Sequence, residues 1–71
     1  MKQDFTTQEH KDNLIRLGVN DYNDLVGQSV YYSREVYGVH KVIKWDDESG
    51  EYLLDLDGSK FYSNPFRIFL I

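Results

Sequence analysis

Cysteine is missing from this sequence, which removes both a disulfide framework and a thiolate zinc site as staples for a small domain. Long apolar runs are missing as well. The opening "MKQDFTTQEHKD" reads as neither a signal peptide nor a membrane span, so the cytoplasm is the expected address and no membrane partner is expected. Catalytic signatures are also lacking. None of Ser29, Ser33, Ser49, Ser59 and Ser63 sits in a G-x-S-x-G elbow, and there is no G-x-x-x-x-G-K-[ST] loop or H-E-x-x-H pair. A calcium loop counted from Asp55 would need glycine at its sixth place and glutamate at its twelfth, where Lys60 and Phe66 stand. The expectation is a non-enzyme with no catalytic residue, no cofactor and no metal.

An excess of positive charge is absent too. The formal charge is −4, with three basic and five acidic residues in 1–27 and five basic and seven acidic in 28–71. Both parts repel a polyanion on average, so a nucleic-acid partner is disfavoured and a protein partner is expected.

Aromatic side chains are what the chain has in plenty. They make up 15% of its 71 residues, and each buried ring removes about 150 to 250 Å² from water. Surface scaling gives a folded area of about 4,600 Å² against about 12,000 Å² unfolded. These areas fit one domain with a thin core, with residues 1–5 as a loose start.

"FTTQEHKDNLIRLGVN" reads as a helix over 6–18. Thr6 and Glu9 have the spacing of a capping box. Gly18 and Val19 have that of a Schellman stop, with Val19 packing on Leu14. His10, Leu14 and Leu17, with Ile15 beside them, form the apolar stripe, and Leu14, Ile15, Leu17, Val19, Tyr22 and Leu25 are expected to bury against the strands. "NDYNDLVG" offers Asn20 or Asp21 as the cap of a short helical turn over 20–26.

From Gln28 the period becomes that of strands. "QSVYYS", "VHKVIKW" and "SKFYS" are rich in strand formers, and "EYLLDLD" alternates Tyr52, Leu54 and Leu56 against Glu51, Leu53 and Asp55. "DDESG" and "DG" have hairpin spacing, with Gly50 at positive φ and Asp57-Gly58 as a tight primed turn. Pro65 predicts a turn before a last short strand in "NPFRIFLI", whose apolar tail is expected to dock.

This order of elements resembles the SH3-like barrel, in its KOW and Tudor-type branch, over residues 27–71. The carriers are "VGQSVYY", Gly38 in "VYGVHKVIKWDD", "GEYLLDLDG" and "KFYSNPFRIFLI". The resemblance implies a mainly β, α+β domain with a small five-stranded antiparallel barrel over 28–71. The chain departs from RNA-binding KOW modules in being acidic, and from peptide-binding SH3 domains in lacking their "ALYDY" motif. Families of that type include many small uncharacterised proteins of bacteria and phages, so the resemblance implies an accessory or inhibitor protein as the expected kind.

Three candidate surfaces emerge. Tyr32, Tyr37, Trp45 and Tyr62 border the predicted loops and form the candidate binding surface, since exposed rings accept a cation, a base or a peptide. Arg34, Lys41, Lys44, Lys60 and Arg67 form the alternative, a nucleic-acid face that interleaves cations with rings. Asp46, Asp47, Glu48, Glu51, Asp55 and Asp57 form an acidic face, for which turn chemistry is the competing explanation. The expected function is a macromolecular-interaction module acting as a monomer or weak homodimer.

Overall fold

The computed structural model describes residues 4–33 and 38–71. Helix α1 spans Gln8–Leu17, and a 3-10 turn follows at Tyr22–Leu25. Strands β1 (Ser29–Tyr32), β2 (Val39–Asp46), β3 (Glu51–Leu56) and β4 (Ser59–Ser63) come next, then a 3-10 turn at Pro65–Arg67 and strand β5 (Ile68–Phe69). They form one antiparallel sheet in the order β4-β3-β2-β1-β5. The sheet is open, with β4 and β5 at its edges.

Punctuation residues largely act where the sequence places them. Gly18 takes φ 69°, its N–H bonds Ile15 O, and Val19 N–H bonds Leu14 O, which together make a Schellman stop. Asp21 caps the first 3-10 turn in a reciprocal box with Asp24. Asp57 and Gly58 both adopt positive φ in the two-residue turn, and Gly50 does so before β3. The helix start differs from expectation. Thr7, not Thr6, stands at the N-cap and makes no side-chain cap bond, because Thr6 is engaged by the Asp4 carboxylate through both its N–H and its hydroxyl.

One face of the sheet holds the core. Val30, Val42, Tyr52, Leu54 and Ile68 bury there with Leu17, Tyr22 and Leu25, while Leu14, Val19, Tyr32, Trp45 and Phe61 pack around them. Fully burying an aliphatic side chain of this kind contributes about 1.5 to 3 kcal/mol. The helical stripe is narrower than expected. Ile15 is 76% exposed, and buried Asn13 holds the position beside Leu17 instead. Leu56, at the β3–β4 turn, is also exposed despite its alternation. The tail docks mainly through Ile68, with Phe69 paired to Tyr31 and Leu70 and Ile71 largely in solvent.

A polar hub fastens α1 to the β5 edge. Asn13 Oδ1 accepts from the Arg16 guanidinium at 2.9 and 2.6 Å. Its Nδ2 donates to Pro65 O and to the Tyr22 hydroxyl. Arg16 also donates to Ile68 O at 2.7 Å and lies 4.8 Å from the Phe69 ring centroid. Tyr52 completes the tie by donating its hydroxyl proton to Tyr22 O.

Candidate binding surface

The other face of the sheet is built by strand parity and by one irregularity. Paired residues in adjacent strands lie side by side, so the register sets out rows. Ser29, Lys41, Asp55 and Lys60 form one row across four strands. Lys44, Leu53 and Tyr62 form a second, and Phe69, Tyr31 and Val39 a third, with Asp46 beside Glu51 at the end. The irregularity is a register shift between Val42 and Lys44, where Ile43 is the extra residue. Strict alternation would send Lys44 inward with Val42 and Trp45 outward. The bulge reverses the phase, so Lys44 stays in solvent and Trp45 turns to the core side.

Lysines therefore gather on this face. Lys41, Lys44 and Lys60 are exposed, and Lys44 Nζ lies 5.9 Å from the ring centroid of Tyr62, within cation–π reach. Val39, Tyr62 and Phe69 are 46%, 48% and 40% exposed. Asp55 sits in the lysine row, and one of its carboxylate oxygens is buried without a hydrogen-bond partner. Arg67 is exposed on the 3-10 turn before β5, at the opposite end of the strand order from Lys60. Arg34 lies outside the described residues.

The three candidate rings among the described residues do not share one surface. Of the described three, Tyr62 is on the lysine face. Trp45 is half-buried against Tyr22 (4.5 Å between centroids), Tyr52 (4.7 Å) and Phe5 (5.4 Å). Tyr32 packs with Phe61 and buried His40 on the core side, and Tyr37 lies outside the described residues. Sequence position beside a loop suggested exposure for Trp45, and the bulge at Ile43 is what removes it. An open cleft of about 290 Å³ does lie over Phe5, Tyr22 and Trp45, rimmed by Asp21 and Asp47. Its rings touch one another, leaving no gap between their faces for a cation.

The acidic set also divides. Asp46, Asp47, Glu48 and Glu51 surround the β2–β3 turn, where Asp46 Oδ1 accepts the N–H groups of Glu48 and Ser49. Those two backbone bonds, Glu48 first, hold the Asp46 carboxyl below its ordinary value. Asp57 is in the β3–β4 turn, roughly 20 Å away along β3, and Asp55 is among the lysines. Among the described residues, no group of three or more His, Asp or Glu is placed to share a metal ion.

His10 and His40 fall in different ring clusters. His10 Nδ1 lies 2.7 Å from the Tyr22 hydroxyl, with Phe5 and Phe66 against its ring. Burial, acting before any charge, raises the Tyr22 phenol above its ordinary value, so it keeps its proton. The residues that sequence reasoning left out of the candidate surfaces on this face are Tyr31 and Val39, while Leu53 falls on the side its alternation with Glu51 and Asp55 gave it. Only parity with the lysines marks Tyr31 and Val39, and parity across β2 is hidden by the bulge.

No protein-family model, curated protein or solved structure matches this chain. No helix among the described residues is long and apolar enough to cross a membrane.

Proposed function

We propose that this protein is a non-enzymatic interaction module that binds a protein through the outer face of its sheet. The observation that carries the reading is the composition of that face. An apolar row of Val39, Tyr31 and Phe69 stands beside a row in which Asp55 separates Lys41 from Lys60. Protein-binding surfaces set an apolar, aromatic centre within a polar rim, whereas a phosphate-binding face would be weakened by a central carboxylate. The strand order supports an open relative of the SH3-like barrel of the KOW or Tudor type, and a cytoplasmic accessory or inhibitor protein of a bacterium or phage fits the small acidic build.

A second reading has one observation in its favour: Lys44 over Tyr62, with Lys41 and Lys60 on the same face, is the cation and ring arrangement of sheet-based nucleic-acid readers.

The deciding experiment is affinity capture from bacterial lysate with and without nuclease, comparing the native chain with a Lys41→Glu, Lys44→Glu double variant. The first reading expects a protein that survives nuclease and is lost with the double variant. Retention only through nucleic acid, weakening steeply with salt, would move the assignment to the second reading. A protein held equally by both chains would remove the outer face from the account.

A further inference from the structure

The two edges of the sheet are treated differently by the chain itself. At β5, Arg16 occupies the outward carbonyl of Ile68, and Asn13 occupies the carbonyl of Pro65 in the preceding 3-10 turn, so α1 covers that edge. At β4 the strand order ends, with no further strand paired to it among the described residues. The turn at Asp57-Gly58 is a two-residue hairpin loop, so Leu56 and Ser59 exchange both backbone bonds. By alternation, Ser59, Phe61 and Ser63 bond to β3, while the N–H and C=O groups of Lys60 and Tyr62 point outward. Such an edge is a template for another strand.

Which strand fits is constrained by the side chains. Antiparallel pairing of β4 with its own copy has three short registers. Centring on Lys60 sets lysine against lysine, which repels. Centring on Tyr62 sets Lys60 against Asn64 and Phe61 against Ser63. Centring on Phe61 sets Lys60 of each copy beside Tyr62 of the other, twice, and brings the two Phe61 residues together as a non-hydrogen-bonded pair, the closer kind of cross-strand pair. Lys44 approaches Tyr62 from the β3 side, so the partner lysine comes to the ring from the free side. This register makes four backbone hydrogen bonds and stops at the Asp57-Gly58 turn and at Pro65, which has no N–H to give.

We propose that the β4 edge pairs antiparallel with β4 of a second copy of this chain, in the register centred on Phe61. Because α1 covers the two-residue β5 edge, the assembly ends at two, as a two-fold dimer with a continuous ten-stranded sheet built from two five-stranded ones. An interface of this length falls below the roughly 1,200 Å² of standard complexes, so the dimer is weak, with a dissociation constant above about 1 μM. The inference concerns the edge and stands whatever occupies the outer face.

Sedimentation equilibrium of the full chain from micromolar to millimolar concentration tests it, together with isotope-filtered NMR on a half-labelled sample. The expected result is a monomer–dimer equilibrium with an intermolecular Hα–Hα contact between the two Phe61 residues. Tyr62→Pro removes an outward donor without touching the β3 ladder and should weaken association about tenfold or more. Lys60→Thr keeps the strand and should weaken it by a smaller factor. A monomer throughout the range overturns the proposal. So does a dimer that lacks the Phe61 contact, or one that both folded variants retain at full strength.

Discussion

The edges at β5 and β4 show two ways of ending a sheet. At β5 the strand is two residues long, yet its outward carbonyl is satisfied by Arg16 and its flank is packed by α1. At β4 the strand is five residues long and carries only a lysine and a tyrosine outward. A short strand cannot hold itself in place by ladder bonds, so the chain uses a buried amide and a guanidinium to hold it from the side. The difference locates stability at one edge and availability at the other. It also explains why Asn13, a residue that favours caps and turns, is only 4% exposed inside a helix: each polar atom of its amide is used.

Substitutions should divide along the same line. Leu17→Asp, which puts an unpaired charge into the core beneath α1, should cost about 4 kcal/mol or more and leave the chain largely unfolded by circular dichroism. Asn13→Leu leaves Arg16, Pro65 O and the Tyr22 hydroxyl short of partners, and urea unfolding should show a loss of about 2 to 3 kcal/mol. Arg16→Lys keeps the charge but not the fork, and should cost about 1 to 2 kcal/mol by the same measurement.

Burial raises the phenols of Tyr52 and Tyr22 above the ordinary tyrosine value of 10.0. A raised folded-state value stabilises fully below that pH and ceases to do so as pH rises, because the unfolded chain releases its phenolic protons first. Urea midpoints should therefore fall above about pH 10, and Tyr52→Phe should flatten that fall while lowering stability by about 1 kcal/mol through loss of the bond to Tyr22 O. At the other edge, Lys60→Ala should change monomer stability by no more than about 0.5 kcal/mol. A loss there comparable with that of Asn13→Leu would mean that the two edges are not unlike.

Much of the fold is legible in the sequence because turns and stops are local. Gly18 with Val19, Asp21, and Asp57-Gly58 each act through neighbours within a few positions, and Pro65 with Asn64 makes the last 3-10 turn. The illegible part depends on contacts between distant segments. The hub at Asn13 joins residues more than fifty positions apart, and nothing near Asn13 distinguishes it from an exposed polar residue. Ile15 and Asn13 exchange their expected roles for that reason. The candidate surface is half visible in the sequence: Lys41, Lys44 and Lys60 stand on one face, but the bulge at Ile43 keeps Trp45 from joining them.

The most direct test of the two-edge account is amide hydrogen exchange measured by NMR in dilute solution. The N–H groups of Phe61 and Ser63 should be protected and those of Lys60 and Tyr62 should exchange freely, an alternation along a single strand. Equal protection at all four positions would show that the β4 edge is already covered within one chain and would contradict the account.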